Sequence, residues 1–234
     1  MTETLDHEAV RSQQLLDAQA KAAELFEAVE ARQVIAPGVR ESDASTAIRE
    51  LAADMFGVSR YWHKRIVRAA ANTLHPYSEN PPDLTIGDDD IVFADFGPIF
   101  AEWEADFGRT FVLGDDPAKH RLRDTLPVIF ASGRAFFEAR PDVTGEQLYR
   151  HVMDLTAQAG YEYGGAMAGH LLGEFPHEKL AGDEITSYIA PGNDEPMRRL
   201  DDQGRHCHWI LEIHLVDRER QIGGFFEELL DIHG

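Results

Sequence analysis

Acidic side chains lie inside apolar, strand-like runs, and this feature constrains the fold more than any other. Asp95 lies in the run 91–96, which reads IVFADF, and Asp106 lies in the run 103–113. Isolated burial of a carboxylate is costly, so each must be paired, hydrogen-bonded or bound to a metal ion. For these two residues alone, structural aspartates paired with Arg109 or with backbone turns are an equal alternative.

The same pattern recurs towards the end of the chain. Glu212 lies in the apolar run 209–216, and two acids, Glu227 and Glu228, follow a pair of phenylalanines. His170 lies in a glycine-rich apolar segment. Four acids in strand-like contexts, together with a glycine-flanked histidine, are hard to explain as surface. A strand alternates its faces, so only one of Glu227 and Glu228 can point inward.

The balance of charged residues limits the classes of partner that this protein is expected to bind. Lys and Arg number 22 against 42 Asp and Glu, a formal charge of −20. That balance argues against binding to nucleic-acid phosphates and to anionic lipid surfaces. Cys207 is the single cysteine, so no internal disulfide is possible. With no apolar stretch of roughly 18 residues and no secretion signal, we expect a cytoplasmic protein without a membrane partner.

Hydrophobic periodicity predicts helices that precede and interrupt a sheet. The expected helices are 7–34, 42–56, 117–140 with a bend or break at Pro127, and 144–159; the expected strands are 66–74, 91–96, 103–113, 209–216 and 225–232. The sheet reads as antiparallel, which indicates the α+β class. We expect residues 1–60 to pack on, or lead into, a catalytic domain at 61–234, giving one domain overall.

The ordered set Asp, Asp, His, Glu, Glu resembles the M24, or pita-bread, metallopeptidase family. This family includes methionine aminopeptidase, Xaa-Pro aminopeptidase, prolidase and creatinase. The resemblance runs from about Asn72 to Glu228 and covers roughly two thirds of the chain. Its motifs are Asn72-Thr73-Leu74-His75-Pro76, Asp95 and Asp106 eleven residues apart, Arg109-Thr110-Phe111, and Gly169-His170 with His177-Glu178.

The resemblance implies a curved antiparallel sheet covered by helices, with two divalent ions bound to it. Asp95 would chelate one ion, Asp106 and Glu227 would bridge both, and His170 and Glu212 would complete the other site. We choose Glu227 rather than Glu228 because an acid follows this ligand in many relatives. Oxygen-rich ligands with one imidazole suit Mn²⁺, Co²⁺, Fe²⁺ or Zn²⁺.

The resemblance also implies the reaction. A hydroxide that bridges the ions would attack an amide carbonyl, with Glu212 relaying the proton. His75 and His177 would hydrogen-bond the substrate carbonyl, the tetrahedral intermediate or the leaving nitrogen. We therefore expect an Xaa-Pro-type aminopeptidase or dipeptidase that acts on a small peptide or another small amide, and a homodimer is compatible with the resemblance.

Three departures keep alternatives open. His214 stands where the family often has glycine, Phe225 stands where arginine is common in the proline-directed peptidases, and Glu212 and Glu227 are only fifteen residues apart. These departures bear on peptide recognition rather than on metal binding. The alternatives are a creatinase-like C–N hydrolase or lyase on a small substrate, and a non-catalytic metal-binding or scaffold protein. His206 and His208 are poorly spaced for a metal site of their own.

Overall fold

The computed structural model describes residues 2–174 and 184–232, with side chains from His7 onward. Within these ranges the chain forms α1 (Thr2–Ala31), α2 (Glu41–Phe56), β1 (Ile66–Ala69), β2 (Ile91–Phe96), β3 (Ile99–Phe100), β4 (Trp103–Glu104), β5 (Phe107–Val112), α3 (Pro117–Glu138), α4 (Gly145–Gln158), β6 (Glu162–Tyr163), β7 (Gly169–Leu172), β8 (His208–Asp217) and β9 (Ile222–Leu229). Short 3-10 helices span Ala70–Leu74 and Ile185–Ser187.

Seven of these strands form a single sheet. Its order is β1-β2-β5-β9-β8-β6, and β7 pairs with β8 as well. Every pairing in this sheet is antiparallel, and β3 and β4 form a separate hairpin between β2 and β5. The expectation of an α+β fold with an antiparallel sheet is confirmed.

Two apolar clusters fix which strand faces remain for a site. On β2, Ala94 and the residues two positions before and after it pack with α1 and α2. In the same cluster the rings of Phe26 and Phe107 lie 5.1 Å apart. Leu211 and its alternate neighbours on β8 pack with α3 and α4. Because neighbouring strand residues point to opposite faces, Asp95 and Glu212 point away from these helices.

The helices follow their sequence signals, and the one unexpected feature is the continuity of α3. Thr144 caps α4 and forms a capping box with Gln147. Pro127 lies inside α3 without ending it. Pro127 is exposed, so the backbone groups that it leaves unpaired face water. None of the described helices is long and apolar enough to cross a bilayer.

Two predicted strands are shorter than the sequence pattern indicates. The predicted strand 66–74 ends at Ala69, because Ala70 has a positive φ of 50° and Asn72 turns its amide onto Glu41. The predicted strand 103–113 is interrupted between β4 and β5. This interruption places Asp106 just before β5 rather than within it. The predicted boundary near residue 60 stays a prediction.

Candidate metal centre

A row of neighbouring positions crosses the sheet and carries three of the predicted carboxylates. The strand register places Asp95 opposite Gly108, Gly108 opposite Glu227, and Glu227 opposite Glu212. A Cβ atom on Gly108 would lie 2.6 Å from the Phe225 ring and 3.1 Å from Glu227 Oε1. The glycine therefore leaves room in the row where a side chain would crowd the carboxylates.

Asp106 lies between two histidines. Its Oδ1 is 3.0 Å from His63 Nε2, and its Oδ2 is 2.9 Å from His170 Nε2. His63 Nε2 is also 3.5 Å from Asp95 Oδ1, and His170 Nε2 is 3.5 Å from Glu212 Oε1. The two oxygens of Asp106 thus belong to two adjoining groups, each with a histidine and a second carboxylate.

Both histidines are oriented by the backbone in the same way. Nδ1 of His63 donates to the carbonyl oxygen of Lys64 at 2.7 Å, and Nδ1 of His170 donates to that of Leu171 at 2.8 Å. Each ring therefore faces oxygen atoms from both nitrogens, which only the doubly protonated imidazolium satisfies with two hydrogen bonds. A dication on the Nε2 side would replace one proton and leave the orienting bond intact, as is usual for ligating histidines.

Trp62 and Gly97 hold these rings in place. The Trp62 ring lies 4.5 Å from the His63 ring and 5.2 Å from the His170 ring, measured between centroids. Trp62 Nε1 donates to the carbonyl oxygen of Ala105 at 3.0 Å. A Cβ atom on Gly97 would lie 2.0 Å from the His63 ring, so only glycine admits the ring there.

The charges at the centre shift the pKa values in opposite directions. Burial would lower the pKa of His63 and His170, but Asp106 and the other nearby carboxylates outweigh it and raise each to about 9. Burial would raise the pKa of Asp106, yet the two histidines hold it below its usual range. Asp106 and its histidines therefore form a buried cluster of opposite charges.

The remaining carboxyl groups lack such compensation. Burial, only partly offset by His63, raises the pKa of Asp95 to about 6. Burial together with Asp106 and Asp95 raises the pKa of Glu212 to about 7 despite His170, and burial with the neighbouring acids raises that of Glu227 well above its usual value. Each of these carboxyl groups therefore favours its neutral, protonated form. A nearby cation would favour the ionised form instead.

Two buried oxygen atoms test whether the donor set fits a metal ion. Asp95 Oδ1 and Glu227 Oε1 have no hydrogen-bond partner among the described residues. One ligand atom from each of His63, Asp95 and Asp106 lies within 4.8 Å of the others. Unsatisfied carboxylate oxygens beside imidazole nitrogens suit first-row divalent ions. The residues present therefore fit the metal that the sequence predicts.

The structure separates Glu227 from Glu228 by strand alternation. Glu227 is buried in the row, whereas Glu228 forms an ion pair with Arg109 and lies 3.9 Å from Arg134. The guanidinium of Arg109 also stacks on Phe107 at 3.7 Å. Glu228 is thus neutralised by arginine, and Glu227 is the member of the pair that lies beside the other carboxylates.

The two histidines predicted to contact substrate are not placed at the centre by the described contacts. His75 Nδ1 lies 2.6 Å from Glu79 Oε2, and 38% of its side chain is exposed. His177 lies outside the described residues. Their catalytic roles stay predictions.

Two further histidines, His208 and His214, have structural partners. His214 Nε2 donates to the carbonyl oxygen of Thr73 at 2.9 Å, and burial lowers its pKa to about 4. His208 is held between Glu8 and Asp231 at 2.9 and 2.7 Å. Neither imidazole contacts the carboxylate row through a described hydrogen bond or ion pair.

His63 is the residue that sequence reasoning missed. It lies in the polar segment 59–65, without an apolar run or flanking glycine to mark it. Its place at the centre depends on Gly97, which is distant in sequence and opens the space for its ring. The tryptophan next to it, Trp62, is the only local signal.

The sequence matches the profile of Metallopeptidase family M24 over residues 13–200. The chain belongs to this family. The resemblance inferred from the ordered acids and histidine is confirmed, and with it the expectation of a hydrolase family that depends on metal ions.

Curated relatives of this M24 chain are named as dipeptidases. It is 29% identical over 197 residues to the probable dipeptidase PepE of Mycobacterium tuberculosis, covering 79% of this chain and 48% of that protein. It is 29% identical over 140 residues to the Xaa-Pro dipeptidase of Lactobacillus helveticus, covering 59% of this chain and 35% of that protein. The chain therefore spans about half of the length of the Mycobacterium tuberculosis relative and about a third of the length of the Lactobacillus helveticus relative.

Solved structures establish the fold of this M24 chain as pita-bread. A dipeptidase from Pyrococcus horikoshii superposes with a TM-score of 0.73 at 19% identity, over 95% of this chain and 60% of that one. Methionine aminopeptidase from Rickettsia prowazekii superposes with a TM-score of 0.67 at 15% identity, over 92% of this chain and 90% of that one. The predicted fold is confirmed.

Proposed function

We propose that this chain is a dinuclear metal-dependent peptidase that hydrolyses small peptides, with Xaa-Pro dipeptides as the first substrates to test. The observation that carries the proposal is the position of Asp106, whose two oxygens face two different histidines. The names of the curated relatives, dipeptidase and Xaa-Pro dipeptidase, support the substrate class.

We assign two adjoining ion positions that share Asp106 and Glu227. His63 and Asp95 lie on one side of Asp106, and His170 and Glu212 lie on the other. Four carboxylates carry a charge of −4, which two divalent ions neutralise. Mn²⁺, Co²⁺, Fe²⁺ and Zn²⁺ suit this mixture of oxygen and imidazole ligands. Ions bound here would supply Lewis-acid activation of water and of the substrate carbonyl.

The side chains of this protein would handle the proton. Glu212 is the carboxylate placed for this role, because its Oε1 lies 3.5 Å from His170 Nε2 at one of the two proposed ion positions. Its carboxyl would accept a proton from the attacking water and pass it to the leaving nitrogen. Tyr163 Oη donates to the backbone carbonyl of Glu212 at 2.8 Å, which fixes that position of β8. His75 and His177 remain proposed contacts for the substrate.

One observation favours a second candidate function. Phe225 packs with Ile66 and Phe93 beside the row, and its ring lies 5.5 Å from that of Phe93. An apolar cluster at the position where proline-directed peptidases commonly have arginine favours a small or unusual amide. The alternative is therefore a C–N hydrolase or lyase that keeps the same metal centre and does not cleave peptides.

Metal content and peptide turnover test the proposal together. Protein purified without chelator should contain close to two equivalents of divalent ion, and in a screen of Xaa-Pro and Met-Xaa dipeptides at least one class should be cleaved after loading with Mn²⁺ or Co²⁺. Asp106→Ala should lose both ions and reduce kcat/KM by about a thousandfold or more, because it removes the position that both ions share.

The matched control is Glu50→Ala, which removes an exposed acid from α2 and should change neither metal content nor turnover. Less than one equivalent of metal in the wild type, with no activity after adding Mn²⁺ or Co²⁺, would contradict the proposal. Two equivalents of metal without turnover of any peptide would favour the non-peptidase alternative.

A further inference from the structure

A buried histidine ties strand β8 to the segment that follows β1. His214 lies two residues after Glu212, so its side chain lies on the same face of the sheet. Its Nε2 donates to the carbonyl oxygen of Thr73 at 2.9 Å, and only 4% of the residue is exposed. Glycine, which is common at this position in the family, has no side chain that could form this bond.

Two glycines provide the space for this contact. A Cβ atom on Gly164 would lie 2.4 Å from the His214 ring, and one on Gly223 would lie 2.5 Å from the carbonyl oxygen that the ring contacts. A side chain at either position would displace the imidazole or the segment that it holds. Two further rings meet the imidazole edge-on, at 5.7 and 5.8 Å between centroids; they belong to Phe93 and Phe225. The direction of the donor is therefore fixed by packing.

Thr73 is fastened to the sheet by a second bond. The backbone N–H of Gly223 on β9 donates to Thr73 Oγ1 at 2.8 Å, and the Thr73 hydroxyl donates to the carbonyl oxygen of Ala70. Strands β8 and β9 also carry Glu212 and Glu227. Because both anchors come from these two strands, the position of Thr73 is fixed relative to the proposed ion positions.

The backbone of the anchored segment is strained. Ala70 has a φ of 50°, which lies in the left-handed region that is unfavourable for a residue with a Cβ atom. Such strain persists only where the surroundings fix the backbone, and it clusters at functional sites. On one side, the Glu41 carboxylate accepts hydrogen bonds from the Ala69 N–H and from the Asn72 amide. On the other side, the two bonds to Thr73 hold the segment against the sheet.

This segment leads directly into side chains near the metal centre. His75 and Tyr77 follow Thr73 in the chain, and the Tyr77 ring lies 5.9 Å from the ring of His63. We call residues 70–77 the anchored loop. A shift of Thr73 would move both side chains relative to the ions, and a misplacement of about 1 Å at an active site can reduce turnover by about a hundredfold.

We propose that His214 is a positioning residue, which holds the anchored loop, and with it His75, in place relative to the metal centre. This inference rests on the proposed peptidase function and deepens it. His214 acts through the carbonyl oxygen of Thr73 rather than on the substrate. Because His75 is proposed to contact the tetrahedral intermediate, loss of His214 should lower kcat more than it raises KM and should leave the metal content unchanged.

The test compares two replacements of His214 in the metal-loaded protein. The amide of His214→Gln can donate from about the position of Nε2, whereas His214→Met has no donor. In His214→Met, hydrogen–deuterium exchange of the backbone amides at 71–77 should be about tenfold or more faster, and kcat should fall by about ten- to a hundredfold. His214→Gln should keep both values close to those of the wild type. Equal behaviour of the two variants would overturn the proposal.

The matched control is His208→Met, which removes another buried imidazole from β8. The described partners of His208 are Glu8 and Asp231, neither of which belongs to the anchored loop. This control should keep the wild-type kcat and the wild-type exchange at 71–77. If exchange there rises as much as in His214→Met, the effect is a general loosening of β8, and the proposal fails. If His214→Met does not fold, His214→Leu replaces it in the comparison.

Failure of the proposed function gives a separate result. If the loaded protein cleaves no peptide, the peptidase proposal fails, and the exchange experiment alone decides whether His214 holds the loop. Protection at 71–77 that is kept in His214→Gln and lost in His214→Met would support the anchor. The same protection in the wild type and in both variants would overturn it.

Discussion

A single buried acid, Glu41, and the buried acids of the metal centre have opposite surroundings. The Glu41 carboxylate accepts hydrogen bonds from the Ala69 backbone at 2.6 Å, from the Leu84 backbone at 3.0 Å and from the Asn72 amide at 3.0 Å. The metal centre buries four acids beside one another and leaves Asp95 Oδ1 and Glu227 Oε1 without a hydrogen bond from a described residue. Glu41 stabilises the fold, whereas the centre contains buried carboxylate oxygens that no described residue satisfies.

The comparison teaches how to separate structural from functional acids. Burial alone does not distinguish them, since Glu41 and Asp95 are both 6% exposed. The two kinds of acid differ in the number of hydrogen-bond donors that contact each carboxylate oxygen. A satisfied carboxylate lowers the free energy of the fold, and an unsatisfied one raises it unless something absent from the polypeptide binds there.

The largest expected effect on stability comes from replacing Glu41, the acid whose oxygens are fully hydrogen-bonded. Glu41→Ala leaves two backbone N–H groups and the Asn72 amide buried without this acceptor. It should lower the free energy of unfolding by about 3 kcal/mol, measured by urea denaturation in the presence of chelator. A change below about 1 kcal/mol would contradict the structural role assigned to Glu41.

A change of the opposite sign in the free energy of unfolding is expected when an acid of the carboxylate row is replaced. Glu227→Gln replaces a carboxyl group whose ionisation is opposed by burial and by the neighbouring acids, so without metal it should leave the protein equally stable or stabilise it by about 1 kcal/mol. The same variant should bind Mn²⁺ at least about tenfold more weakly. Destabilisation of the metal-free protein as large as that in Glu41→Ala would remove the distinction between the two groups.

The pH dependence of Glu227 follows the same logic. Its folded pKa is raised above the usual 4.5, so its unfavourable contribution is absent below pH 4.5 and grows as pH rises towards the folded pKa. Metal-free wild-type protein should lose stability over that interval more steeply than Glu227→Gln. Identical slopes in the two proteins would contradict the assignment.

The smallest effect is expected at a third, satisfied charge cluster. Burial would lower the pKa of His208, but Asp231 and Glu8 outweigh it and raise it. This stabilisation is fully present below the unfolded pKa, near 6.5, and is lost as pH rises through the folded pKa. His208→Gln should therefore lose stability mainly at acidic pH. Thermal unfolding at pH 6 and pH 9 measures the difference.

The satisfied and unsatisfied acids also differ in how far sequence can predict them. Asp95 and Glu212 are visible because an acid interrupts an apolar strand, and their common orientation follows from alternation along β2 and β8. Glu41 gives no such signal. Its partners Asn72 and Leu84 are distant in sequence, and only the fold brings them to it.

His63 and the elements around it show the same limit. Thr144 and the helix after it follow from a local capping motif, so the sequence is sufficient there. The hairpin of β3 and β4 and the position of His63 depend on contacts between segments far apart in sequence. The His63 ring fits because Gly97 has no side chain, and no property of the segment around His63 records that fact.

The central claim is that the buried acids of the metal centre form a binding site for cations. Anomalous diffraction from crystals soaked in Mn²⁺ tests this claim most directly. The account predicts two peaks about 3.5–4 Å apart. One would lie beside His63 and Asp95, the other beside His170 and Glu212, with Asp106 between them. Density at neither position, or Mn²⁺ bound only to exposed acids elsewhere, would contradict it.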